Sequence, residues 1–145
     1  MQPRGIRNNN PGNIRWGDGW QGLVAPHMRT DKDFCQFTEA VYGIRAICRI
    51  LLNYGSKAGM PSIGGPNIDT VREVISRWAP PSENDTEAYI ASVARSIATL
   101  PNAHIDLTEP RIMRGLVVAI IQHENGQQPY SAAIIDQALS LAGIA

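Results

Sequence analysis

Glu124 is the side chain whose placement first suggests chemistry. Ahead of it, Ile112, Met113, Leu116, Val117, Ile120 and Ile121 recur at three- and four-residue steps. That spacing places them on one face of an α-helix, and Glu124 is the next position in the rhythm. A carboxyl there sits on the core side of the helix's last turn. Partial burial and the negative end of the helix dipole both disfavour its ionised form. A carboxyl that keeps its proton near neutral pH can protonate the leaving oxygen of a glycosidic bond. Gly126 lets the chain turn away without covering the group. The same pattern also admits a plain surface glutamate, swung to solvent or paired with Arg111 or Arg114. A glycosidase commonly uses a second carboxylate. Asp18, Asp31 and Asp33 lie in the polar early region and are candidates, with no spacing rule to choose among them.

The elements that must position Glu124 are mostly helical. Thr38 is expected to cap a helix running to about Tyr54, with Val41, Ile44, Ile47, Cys48, Leu51 and Leu52 at helical spacing. Gly55, Gly59, Pro61, Gly64, Gly65 and Pro66 then mark a long loop. Thr70-Val71-Arg72-Glu73 reads as a capping box opening a short helix that stops before Pro80-Pro81. Asn84-Asp85-Thr86-Glu87 is a second such signal, with Asn84 as the cap, and its helix turns Tyr89, Val93 and Ile97 inward. Thr108 is expected to cap the Glu124 helix, with Pro110 tolerated in its first turn and Asn125-Gly126 as its stop. Residues 130–142 form a last helix with Ile134, Ile135, Ala138 and Leu141 on one face. Residues 5–30 carry no helical period and read as loop with short extended pieces. Residues 33–37 alternate as a short strand does. The expected fold is mainly α with a minimal β part near the start.

Bulk properties narrow the field further. A chain of 145 residues with 43% apolar side chains suits a single domain over residues 1–145. Thirteen basic and thirteen acidic side chains cancel, which argues against a nucleic-acid binder. No apolar run approaches the roughly 18 residues a membrane span needs, and residues 1–10 are polar and basic, with no apolar core of a secretory signal. Synthesis in the cytoplasm is the expectation. Cys35 and Cys48 fit no zinc or redox motif and read as buried free thiols, with a disulfide formed after export as the alternative. His27, His104 and His123 have no ligand spacing, so neither a metal nor a cofactor is expected.

Several segments resemble known cell-wall enzymes. Ile120-Ile121-Gln122-His123-Glu124-Asn125-Gly126 resembles the catalytic segment of lytic transglycosylases and goose-type lysozymes. Asn10-Pro11-Gly12-Asn13-Ile14-Arg15-Trp16-Gly17 resembles a segment of bacterial glucosaminidases. Phe34-Cys35-Gln36-Phe37, leading into Gly43-Ile44-Arg45-Ala46, resembles the strand and helix that follow it. Trp78 and Glu83-Asn84-Asp85-Thr86, with Tyr89, Ile90 and Val93, resembles a late transglycosylase helix. In those enzymes these segments follow the glutamate, whereas here they precede it. The order implies a circularly permuted lysozyme-like domain, which nearby termini make tolerable. The pattern from Arg4-Gly5-Ile6-Arg7 through Trp78-Ala79-Pro80-Pro81 to His123-Glu124-Asn125-Gly126 also resembles phage and prophage virion proteins and lysins, with relatives among secreted effectors. Two features depart from the transglycosylase pattern: Asn125 replaces the usual Ser, and a Gly-Leu-Met-Gln segment is missing.

The resemblance implies a glycosidase that cuts peptidoglycan between N-acetylmuramic acid and N-acetylglucosamine. Glu124 would be the general acid. The same carboxylate would then return as base in a transglycosylase, or water would attack in a hydrolase. Asn10, Asn13, Gln36, Tyr89 and Trp16 would line the substrate cleft. Each has a plainer reading as well. Asn-Pro-Gly-Asn is a strong turn by itself, Gln36 can be a solvated strand residue, and Tyr89 can be a core aromatic with a wet tip. Trp16 and Trp20 could stack on sugar faces, while Trp78 is expected to plug the core and His123 to lie on the surface. The protein would act at the cell wall after release, injection or secretion, with an immunity protein as partner if it is an effector. The competing reading is a non-catalytic virion or secretion-apparatus module on the same fold.

Overall fold

The computed structural model describes residues 2–60, 63, 65–80 and 85–144. Among them are six α-helices: α1 (Arg4–Arg7), α2 (Ala40–Tyr54), α3 (Val71–Trp78), α4 (Thr86–Ser96), α5 (Pro110–Asn125) and α6 (Ala132–Leu141). Among the described residues, extended pairing is limited to four isolated antiparallel bridges, such as Arg15 with Phe34 and Leu23 with Phe37. The protein is therefore mainly α. Residues 33–37, expected as a short strand, make only single bridges at Phe34 and Phe37. Helix α1 and a 3-10 turn at Pro26–Met28 fall where only loop was expected, because such short elements leave no periodic signal.

The chain divides into two compact units, Met1–Arg49 with Ile120–Ala145 and Ile50–Ala119, and the division falls inside α2 and α5. In the first unit, Ile6, Ile44, Ile47, Ile120, Ile121 and Ile135 are buried. Cys35, Phe37 and Ala46 form a further cluster under Ile14, Trp16, Trp20, Leu23 and Tyr42. Gly43 on α2 is required by a close approach, since a Cβ there would fall on the Asn9 carbonyl oxygen. Arg49 donates to the Ala142 carbonyl at the end of α6 (2.9 Å), satisfying one of the groups a helix end leaves open. On α6 the buried face is Ile135, Ala138, Leu139 and Ala142, whereas Leu141 is exposed. Ile135 and Ala138 thus face inward as expected, while Leu139 and Ala142 take the places expected of Ile134 and Leu141. Both thiols are free and buried, and burial pushes Cys48 up to about 12.

In the second unit, α3 and α4 pack together over Val71, Val74, Ile75, Tyr89, Ile90 and Val93, all buried. The Thr70 hydroxyl accepts from Glu73 N–H (3.1 Å) and donates to the Glu73 carboxylate (3.0 Å). Glu73 in turn accepts from the N–H groups of Asp69 (3.1 Å) and Met60 (2.6 Å). Thr70 caps the helix as expected, while Glu73 reaches back to Asp69 N–H in place of the Thr70 N–H of a full capping box and so ties down the loop ahead of it. The cap of α4 is Asp85, which accepts from Ala88 N–H. Asn84 lies outside the described residues, as do Pro61, Gly64, Pro81 and Glu83. Helix α5 is capped by Glu109, whose carboxylate accepts from the N–H groups of Arg111 (2.9 Å) and Ile112 (3.3 Å). Thr108 was the expected cap, but its hydroxyl is spent on Asp106 (2.6 Å).

Candidate active site

Helix α5 carries Glu124 as its apolar spacing requires. Ile112, Met113, Leu116 and Val117 are buried in the second unit, and Ile120 and Ile121 in the first. The last turn divides the inward position between two residues. Asn125 is buried at 8% exposure, and Glu124 is half-buried beside it. Gly126 adopts φ +71, the left-handed conformation of a helix stop, and its N–H closes on the Gln122 carbonyl (2.8 Å).

Asn125 fixes the end of that helix. Its Nδ2 donates to the Ile121 carbonyl (3.0 Å) and to the Pro11 carbonyl (2.8 Å). The second bond ties the helix terminus to the turn at residues 10–13. Gly5 lies under the same junction. A Cβ on it would come within 2.7 Å of Asn125 Oδ1 and 2.9 Å of both Asn13 Oδ1 and the Asn10 carbonyl. Glu124 is therefore presented from a terminus that α1, the 10–13 turn and α5 hold jointly. The sequence reading takes Asn125 as part of the helix stop and as a departure from a family pattern, not as the residue that fixes the terminus. Its position four residues after Ile121, inside the apolar stripe, was the available signal.

The residues expected to bind substrate separate into three groups. Asn13 is half-buried, at φ +52, and its side-chain oxygen faces Gly5 beside Asn125. Trp16 and Gln36 flank the segment 30–32. Trp16 Nε1 donates to the Asp31 carbonyl (2.7 Å), and the Arg29 guanidinium covers its ring at 3.9 Å from the centroid. Gln36 Oε1 accepts from Thr30 N–H (2.8 Å) and Asp31 N–H (3.1 Å). Gln36 is thus neither a solvated strand position nor an open binding group, but the brace of that segment.

Asn10 and Tyr89 are corrected outright by their burial. Asn10 is fully buried. Its Nδ2 donates to the Ile14 and Cys35 carbonyls (both 2.9 Å), and its Oδ1 accepts from Ile14 N–H (3.0 Å). No side-chain group remains for a ligand. Tyr89 is 1% exposed within the second unit and is a core aromatic. Trp78 is half-buried and His123 exposed.

The three candidate second carboxylates also differ. Asp18 is exposed and Asp33 half-buried. Asp31 accepts five hydrogen bonds: two from Arg4 (both 2.6 Å), one from Asn8 (2.9 Å) and one each from the N–H groups of Asp33 and Phe34 (both 3.0 Å). The Arg4 guanidinium first, then the backbone and Asn8 donors, hold its carboxyl far below the usual carboxylate range, against the opposing effect of burial. Asp31 is an ionised anchor with its lone pairs in use. Among the described residues no three His, Cys, Asp or Glu side chains gather to hold a metal, and no helix is long and apolar enough to cross a membrane.

The fold and the Glu124 terminus together define a mainly helical protein with one carboxyl presented at a braced helix end. No family model matches the chain. Protein P5 of Pseudoalteromonas phage PM2 is 42% identical over 133 residues, which cover 88% of this chain and 74% of that protein. The chain belongs to the same family as this phage protein, which agrees with the expected kinship to phage proteins.

Proposed function

We propose that the protein is a peptidoglycan glycosidase of lysozyme-like, circularly permuted build, with Glu124 as its catalytic acid. The observation that carries this reading is the presentation of Glu124. It is half-buried at the end of an apolar helix, the chain turns away at Gly126, and Asn125 locks the terminus to the 10–13 turn. Positioning of this kind is what lets a single carboxyl deliver a proton to a glycosidic oxygen. Kinship with a phage protein supplies a setting in which cell walls must be breached, as a phage lysin or, alternatively, a secreted effector.

The one-carboxylate route is favoured. Asp31 was a candidate to activate water, but its five hydrogen bonds leave it unsuited to act as a base. Glu124 would protonate the leaving oxygen as the bond to the muramoyl anomeric carbon breaks. The resulting carboxylate would then take the proton of the muramoyl 6-hydroxyl as that oxygen closes on the same carbon, giving an anhydro end.

Digestion of purified sacculi followed by mass spectrometry tests both parts. Anhydro muropeptides are expected from the wild type and none from Glu124→Gln. Reducing ends would replace the transglycosylase route with hydrolysis. Equal release by the two proteins would leave the chain a non-catalytic virion or binding module.

A further inference from the structure

We propose that the two recesses flanking residues 30–32 form a site that recognises carboxylates, and that its ligand is the free carboxylates on the peptide stems of peptidoglycan. This rests on the glycosidase reading for the identity of the ligand, though not for the anion chemistry. One recess, of about 400 Å³, is lined by Arg4, Arg7, Asn8, Thr30, Lys32 and Gln36, together with Asp31. The other, also of about 400 Å³, is lined by Trp16, Arg29, Thr30, Asp31 and Lys32. They share the segment 30–32.

The charge in these recesses is one-sided, although the chain as a whole is neutral. Asp31 is the one carboxylate lining either recess, and Arg4 pairs with it through two short hydrogen bonds while also reaching Asp33 (3.3 Å). Arg7, Arg29 and Lys32 remain. Among the described residues none of the three makes an ion pair. Arg29 is held over Trp16 by its stacking contact, which leaves its N–H edge available to an oxyanion.

The framework beneath these cations is already ordered. Gln36 accepts from the N–H groups of Thr30 and Asp31 and donates to the Thr30 hydroxyl (2.8 Å). Asp31 accepts from Arg4 and Asn8. Binding would therefore cost little in ordering the backbone. Three cations spread over two recesses suit separate single charges, as on a branched peptide, better than the dense phosphates of a nucleic-acid strand, which call for a larger basic excess. None of these cations has a part in the proton transfer assigned to Glu124.

Calorimetric titration of full-length Glu124→Gln protein tests the inference without cleavage of the ligand. The probes are a disaccharide-tetrapeptide with free stem carboxylates, the same molecule with those carboxylates amidated, and polyphosphate. The free form is expected to bind roughly tenfold tighter than the amidated form, as charge-assisted contacts at a partly exposed site allow. That preference should weaken with added salt. It should fall to about twofold in Arg7→Gln/Lys32→Gln, where Arg29 alone remains, at an unchanged melting temperature, and be kept in part by Arg7→Lys alone. Equal affinity for the two forms, or a preference undiminished by the double substitution, overturns the proposal. So does polyphosphate binding that is lost in the double variant with no carboxylate preference, which would make the recesses a phosphate site. Sacculus digestion reports separately on Glu124. Glu124-dependent cleavage without carboxylate preference sinks this inference alone, whereas the preference without cleavage sinks the glycosidase reading alone.

Discussion

In the first unit the backbone between residues 8 and 38 is irregular, and side chains satisfy its polar groups. Asn10 serves Ile14 and Cys35, Asp31 serves Asp33 and Phe34, and Gln36 serves Thr30 and Asp31. In the second unit α3, α4 and α5 are each opened by a side-chain cap, at Thr70, Asp85 and Glu109, and Glu73 is the side chain that bonds beyond its own helix. Both arrangements meet the same demand, that buried N–H and C=O groups find partners. They differ in what one substitution should undo. A side chain that bonds several segments is shared by all of them, whereas a cap serves one helix end.

The comparison is tested first at the tightest crossing. Gly43→Ala should destabilise the protein by about 4 kcal/mol, because its Cβ meets backbone that cannot move aside as a side chain can. Denaturant melts would measure it, and a loss below about 1 kcal/mol would show that the crossing is loose. Next is Asn10→Ala, which leaves the Ile14 N–H and the Ile14 and Cys35 carbonyls without this partner. Its expected cost is about 3 kcal/mol.

Asp31→Asn should cost about 2 kcal/mol at neutral pH by weakening the charge-assisted bonds from Arg4. Its pH dependence sharpens the point. The folded-state pKa of Asp31 is depressed, so its contribution is fully present above the unfolded value of about 4 and is lost as pH falls below that toward the folded value. The gap between wild type and Asp31→Asn should therefore narrow in acid, and a gap constant from pH 7 to pH 2 would refute the anchor role. The smallest effect is expected in the second unit. Asp85→Ala removes a cap with a single bond, to Ala88 N–H, whose loss is typically worth about 1 kcal/mol. If it cost more than Asn10→Ala, the contrast between the units would fail.

The same contrast explains what could be read from sequence. The stripe on α5, the Gly126 stop and the Thr70 cap are legible because period and capping chemistry are local. Glu109 displaced Thr108 as a cap because Asp106 had already engaged the Thr108 hydroxyl. Leu139 rather than Leu141 faces inward because either choice satisfies a helical period on a short helix. The first unit was harder. Asn10, Asp31 and Gln36 act across 25, 27 and 28 residues of sequence through their bonds to Cys35, Arg4 and Asn8. No local pattern separates such a brace from a ligand-binding polar residue. Asn10 and Gln36 were thus read toward substrate, although their side chains bond inward. Glu124, by contrast, was legible from its register, and Asn125, which fixes the terminus, stood in the same stripe.

The most direct test of the central claim is release of soluble muropeptides from purified sacculi by wild type and by Glu124→Gln, with melting temperatures measured in parallel. The expected result is release by the wild type, none by the variant, and melting temperatures that agree. Release by a folded Glu124→Gln at the wild-type rate would contradict the assignment.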